Sequence, residues 1–208
     1  MDKVLLSIGH SQHKIDFFIS LLREHNVNYI LDVRSTPYSQ FAAEYNRESI
    51  KTILESNGIA YTFMGNYFGA RPSDYSLYSP NGYLDFEKVA NCLNFRKAFA
   101  NVMKGAGQGY RIAFMCTEKD PVECHRAILV TNAFYKAGYS IEHIMPDSTI
   151  QTQEDINERL LDMYYPDRNQ LSLFATENLS PEQYLINAYK KQNEKIGYRI
   201  QNIKAGIG

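Results

Sequence analysis

The sequence predicts an α/β domain, a mostly parallel five-stranded sheet with helices on both faces, followed by a helical C-terminal extension. Two observations carry this expectation. Short apolar runs at residues 4–8, 29–33, 59–64, 111–115 and 141–144 have the composition of strands covered on both sides. Between them lie longer stretches whose apolar residues recur at helical spacing, several of them closed by glycine or asparagine.

Taken in order, the first strand ends in Gly9-His10-Ser11, and Ile15, Phe18, Ile19 and Leu22 mark a helix. The second strand runs into Arg34-Ser35-Thr36-Pro37. Asn46 stands where a cap is needed for a helix carrying Ile50, Ile53 and Leu54, which Asn57-Gly58 closes. Residues 65–84 break the rhythm with an aromatic loop around Tyr67, Phe68, Arg71, Tyr75, Tyr78 and Tyr83. Most of these tyrosines are expected to fold back on their own domain, with Arg71 kept as a phosphate contact. Helical pattern resumes at Asp85 and runs to Lys104, interrupted near Asn94, and Cys92 within it suits a small buried apolar position. Pro121 is expected to open a helix that continues to Ala137 and stops at Gly138. Beyond Gln151 the composition turns polar, with a helix around Ile156, Leu160, Leu161 and Met163. A capping box at Ser180-Pro181-Glu182-Gln183 opens the last helix. The chain thus divides into an α/β domain, residues 1–149, and a C-terminal extension, residues 150–208.

Composition bounds the function. With 208 residues, 44% apolar and 22% charged, the chain can bury a full core. It has no run of about twenty apolar residues and no signal-peptide pattern, so a cytoplasmic protein without membrane contact is expected. Three cysteines without framework spacing fit a reducing compartment. A net charge of -1 provides no basic field, so any nucleic-acid contact must be local.

Chemistry concentrates between Cys116 and Arg126, on a strand-to-helix turn that holds two thiols, a carboxylate, an imidazole and a guanidinium. A helix opening at Pro121 would leave the N–H groups of Val122, Glu123 and Cys124 free beside both cysteines and ease thiol ionisation. Cys124 is then a candidate nucleophile, Arg126 an anion holder, and His10 or His125 an acid/base partner. The competing reading is a Cys–His pair buried for packing, with Arg126 and Glu118 paired across the turn. A zinc site from Cys116, Cys124, His125 and perhaps His10 is less favoured, because seven residues between cysteines is not a standard structural-zinc spacing; no metal is expected. The cysteine-to-arginine loop of rhodaneses and low-molecular-weight phosphatases does not fit, since Cys116 lies too far from Arg126 and Cys124 too near.

In an open parallel sheet the loops after the strands' carboxyl ends share one edge, so Gly9-His10-Ser11, Asp32-Val33-Arg34-Ser35 and Cys116-Thr117-Glu118 are expected to converge on one crevice. Asp32 and Arg34 are expected to point to opposite sides, Asp32 into the crevice and Arg34 either there or into a structural pair. The catalytic candidates are therefore His10, Asp32, Arg34, Glu118, Cys124, His125 and Arg126, with Ser11, Arg71 and Cys116 as substrate contacts. His13, His25 and His143 suit ordinary surface or packing roles.

Ile8-Gly9-His10-Ser11, Asp32-Val33-Arg34-Ser35-Thr36-Pro37, Phe68-Gly69-Ala70-Arg71 and Met115-Cys116-Thr117-Glu118 with Pro121 and Cys124-His125-Arg126 together resemble the bacterial family catalogued as domain of unknown function 488. The resemblance extends to about Ile144. It implies no defined activity, although some members carry a loose DNA-repair label; the family's glycine-glycine before the arginine is Gly69-Ala70 here. Outside that region Gln170-Leu171-Ser172-Leu173-Phe174 looks like the pentapeptide by which bacterial replication and repair proteins dock on the DNA sliding clamp. Clamp tethering raises effective concentration at DNA and removes the need for a basic surface. The expectation is an enzyme or accessory factor of bacterial DNA maintenance, with two alternatives. One is a non-catalytic anion- or nucleotide-binding module, the other a metabolic thiol enzyme unrelated to DNA.

Overall fold

The computed structural model describes residues 4–11, 13–168 and 179–200. The clamp-type pentapeptide at 170–174 lies outside them. Strands β1 (Val4–Gly9), β2 (Tyr29–Asp32), β3 (Ala60–Phe63), β4 (Ile112–Cys116), β5 (Ser140–Ile144) and β6 (Ile150–Thr152) form one sheet in the order β3-β2-β4-β1-β5-β6. The first five are parallel, and β6 runs antiparallel to β5. The sheet therefore has six strands rather than the expected five. β6 is three residues long, too short to show a period, and a tight turn closed by the Met145 N–H on the Thr149 carbonyl delivers it.

Alternation along the strands sorts the core into two layers. Leu6, Ile8, Ile30, Ala113 and Met115 pack with helices α1 (Ile15–Glu24) and α2 (Arg47–Ser56). On the other face Leu5, Leu31, Ile112, Phe114 and Cys116 meet α3 (Gly65–Phe68), α4 (Phe86–Asn91), α5 (Leu93–Ala106), α6 (Asn132–Lys136), α7 (Gln153–Tyr164) and α8 (Pro181–Ile196). Among the described residues no helix is long and apolar enough to cross a membrane.

Local chemistry refines several expectations. Asn46 stands at the N-cap of α2, but its side chain accepts the Ser39 N–H instead (2.7 Å). The interruption in the long helical stretch falls at Cys92, which is half-buried and caps α5 by accepting the Phe95 N–H, rather than serving as a buried apolar residue. In the aromatic loop Tyr78 is buried and donates to the Pro72 carbonyl, whereas Tyr75 is exposed.

The C-terminal residues are integral to the packing. Thr152 with Asp155, and Ser180 with Gln183 behind Pro181, form capping boxes that start α7 and α8. Ile156, Leu160 and Ala188 then enter the core, where α7 packs on β5 and β6, and α8 on α7 and the helical segment that follows Arg126. Residues 150–168 and 179–200 thus supply a strand and part of one covering layer.

Candidate functional site

β1 and β4 stay zipped beyond their ends. His10 N–H donates to Cys116 O (2.9 Å) and Ser11 N–H to Thr117 O (2.7 Å), while Val33 N–H from the neighbouring strand reaches Met115 O (3.0 Å). A Cβ on Gly9 would overlap the Glu118 carbonyl, so only glycine lets the turn after β4 pass over β1. Ser11 adopts φ 46°, in the left-handed region that non-glycine residues rarely enter. As expected, the three loops converge.

They enclose two adjoining clefts. The first, about 450 Å³, is lined by His10, Ser11, His13, Tyr38, Phe41 and Tyr45. The second, about 400 Å³, is lined by Ser35, Arg71, Cys116, Glu118, His125 and, from the C-terminal end, Ile196 and Tyr198. Arg34, Thr36, Tyr38 and Thr117 belong to both. Thr36 enters the sequence expectation only as part of the Asp32–Pro37 motif, and Tyr38, Tyr45 and Tyr198 do not enter it; nearness to Arg34 is the available signal for Tyr38.

Asp32 and Arg34 do not point to opposite sides. Residues two apart in extended chain share a side, and Asp32 grips Arg34 through Nε (2.9 Å), Nη2 (2.7 Å) and the backbone N–H (3.1 Å). Tyr61 OH adds a fourth donor to the same carboxylate (2.8 Å). Asp32 is fully buried and has no free face for a water nucleophile; it positions Arg34. The guanidinium also donates from Nη1 to His10 Nε2 (3.1 Å), so the His10 proton sits on Nδ1, bonded to Ser11 O (2.9 Å). Burial, with Arg34 beside it, lowers His10 from the ordinary 6.5 to about 4, and its ring stacks on Tyr45 at 4.1 Å. His10 is therefore a neutral spacer between Arg34 and the aromatic wall.

The turn after β4 departs from expectation at its helix. Pro121 opens a turn, not a helix: the Val122 N–H is bonded to Asp120 Oδ1 (3.0 Å) and the Cys124 N–H to Pro121 O (3.2 Å). Helical bonding begins at the Cys124 carbonyl, with a π-helical segment Arg126–Thr131 leading into α6. The Arg126 N–H meets Cys124 Sγ at 3.5 Å, so the helix start still adjoins the thiol, with the first helical residue at His125 rather than at Pro121.

Arg126 is not an anion holder. It is fully buried, donating to Ser7 Oγ (3.3 Å), to Lys119 O (3.1 Å) and to Glu118 O. Its partners are a hydroxyl and two carbonyls rather than the Glu118 carboxylate, so the ion pair of the competing reading is not made either, and Arg126 is the internal clamp of the turn. Glu118 Oε2 instead lies 3.0 Å from each of Cys116 Sγ and Cys124 Sγ. His125 Nε2–H must donate to Val33 O (3.0 Å), since a carbonyl only accepts, and this aims Nδ1 at Cys116 Sγ (3.9 Å).

Electrostatics separates the two thiols. Cys116 is pushed well above the ordinary thiol range by its hydrogen bond to Cys124 and by burial. Burial opposes ionisation of Cys124, yet the Cys116 hydrogen bond, Arg126 and His125 hold it well below that range. Burial and the neighbouring Cys124 charge raise Glu118. His125 is raised despite burial, through Cys124. Cys116, Glu118 and His125 face the second cleft, with Cys124 behind them and only 1% exposed.

The turn is braced by the C-terminal helices. Arg159 pairs with Asp120 (2.7 Å), Gln192 donates to Val122 O (2.8 Å) and Lys195 pairs with Glu123 (2.7 Å). Behind it a buried chain of donors runs from Arg126 through Ser7 to His143 Nδ1 (2.7 Å), from His143 Nε2 to Gln153 (3.2 Å), and on to Tyr189 (2.9 Å) and Asn157 (2.6 Å). His143 is thus a wired internal group, lowered to about 3 by burial and then by Arg126. Arg71 lies over the Tyr198 ring at 4.7 Å, exposed at the cleft mouth. His13 Nε2 is buried with no hydrogen-bond partner among the described residues.

A family model described as "Domain of unknown function DUF488" matches residues 14–132, more than half of the chain. No curated protein matches.

Proposed function

This chain belongs to the DUF488 family, a domain of unknown function, and from that premise we propose that it is an enzyme of bacterial DNA maintenance acting on a phosphate-bearing nucleotide unit. Arg34 carries the reading. Three of the five guanidinium N–H donors are committed to Asp32 and His10, which leaves two on a cation that lines both clefts. On one side stand the exposed rings of Tyr38 and Phe41, suited to a base, and on the other Arg71 and the Cys116–Glu118–His125 wall. A phosphate on Arg34 and Arg71 would leave a base stacked in the first cleft and the scissile group against Glu118. Glu118 then takes the proton of the attacking water, while the arginines hold the anionic charge that develops. Recruitment by the sliding clamp through residues 170–174 is part of the same proposal and supplies the affinity for DNA that a net charge of -1 withholds.

The test is a thermal-shift and turnover screen with nucleoside phosphates and short 5′-phosphorylated single strands. Stabilisation should appear with the phosphorylated ligands and weaken roughly tenfold in affinity in Arg71→Ala, whose exposed side chain leaves folding intact. Stabilisation without turnover of any candidate would favour the binding-module alternative; no stabilisation at millimolar ligand would sink the substrate class. Clamp recruitment is checked separately, by binding of purified clamp to the chain and to a Gln170→Ala, Leu173→Ala, Phe174→Ala variant. Equal binding of the two would remove the motif from the account.

A further inference from the structure

We propose that Cys116, Cys124 and His125 form a binding site for a thiolate-preferring divalent cation, zinc being the best fit. Their ligand atoms, the two Sγ and Nδ1 of His125, all lie within 4.8 Å of one another. Zinc holds thiolates at about 2.3 Å and imidazole at about 2.0–2.1 Å, so donors around it tetrahedrally stand roughly 3.6–3.8 Å apart. The Cys116 Sγ to His125 Nδ1 distance of 3.9 Å is already close to that spacing.

The surrounding groups fit a ligand set better than a packing cluster. His125 spends its other nitrogen on the Val33 carbonyl, the outer hydrogen bond that fixes the tautomer of a metal-bound histidine. That bond leaves the lone pair of Nδ1 directed at the sulfurs. Arg126, buried with only neutral oxygen partners, places a permanent positive charge beside Cys124, and its backbone N–H approaches Cys124 Sγ. Both features stabilise sulfur as thiolate. Seven intervening residues defeat the usual linear spacing, but the strand, the turn clamped by Arg126 and the helix start bring the thiols to one point. Cys116 and His125 line the second cleft, so a cation there would sit at its wall rather than in a sealed core. Binding displaces the protons the cluster holds, which leave to solvent, and puts metal–sulfur and metal–nitrogen bonds in their place. Two thiolates and an imidazole leave a fourth position, with the Glu118 carboxylate beside it; this is the ligand number of a catalytic zinc rather than of a closed structural one.

This inference stands apart from the substrate reading, because it is tested without any nucleotide. The full chain, purified under reducing conditions and loaded with zinc or cobalt(II), should hold about one metal per chain by elemental analysis. Cobalt should give thiolate charge-transfer absorption with the d–d bands of a tetrahedral site. Cys116→Ser, Cys124→Ser and His125→Gln should each weaken binding by roughly a hundredfold or more, given that losing even an outer-shell partner costs about 10–100-fold. Cys92→Ser should change nothing. Should the variants fail to fold, the unaltered chain decides: zinc should slow alkylation of Cys116 and Cys124 and leave Cys92 unaffected. A cobalt spectrum without thiolate charge transfer, or alkylation equally fast with and without zinc, overturns the proposal.

Discussion

At the residue scale the decisive pair is Asp32 and Arg34. A buried carboxylate saturated by four donors serves to hold one guanidinium at the meeting point of two clefts. Asp32→Asn should therefore cost about 3–5 kcal/mol in chemical denaturation, the range for breaking a buried pair by removing one partner. Arg34→Lys keeps the charge but loses the fork, so its stability should fall less while ligand affinity falls more. The importance of both residues was legible from their place after a strand. Their pairing was not, because it follows from the direction of two side chains past the strand's end. Arg126 illustrates the same limit: its type suggested an anion holder, and only the path of the turn shows its donors on the carbonyls of Glu118 and Lys119.

At the element scale the turn after β4 depends on helices far away in sequence. Gln192, wholly buried, donates to Val122 O and accepts from Tyr164 OH (2.6 Å). Its change to Ala strands both groups and should cost about 1–3 kcal/mol. Lys195 bridges Glu123 in solvent, and Lys195→Ala should cost under about 1 kcal/mol. Equal losses in urea unfolding would show that the turn is not braced by buried bonding. Strands of four to six residues and the capping boxes of α8 were visible because short-range rules determine them. The helix after β4 starts later than the sequence indicates, because Pro121 carries a helix-opening signal while Asp120, Pro121 and Arg126 tie the segment into a turn.

At the scale of the whole molecule, two histidines are carried neutral inside the fold, and acid should unfold it. His10 is lowered to about 4 and His143 to about 3, against 6.5 when exposed. Below pH 6.5 the unfolded chain takes up protons that the folded chain refuses, so stability falls with pH. Each histidine contributes at most about 1.4 kcal/mol per pH unit. The His10 contribution ends near pH 4, that of His143 near pH 3. Urea midpoints measured from pH 7 downward should decline, and His143→Gln should start lower at pH 7 yet decline less steeply. The α/β class and the shared edge of the loops were legible from alternation alone, whereas the bracing by α7 and α8 rests on contacts between residues 39 to 72 positions apart that no local pattern encodes. β1 lies between β4 and β5 in the sheet, although it precedes the stretch that the family model matches. A fragment cut to residues 14–132 would leave β4 with a naked hydrogen-bonding edge and an uncovered apolar flank, the condition under which strands recruit one another into aggregates. Such a fragment should precipitate rather than fold, so the recurring stretch marks kinship and is no portable module.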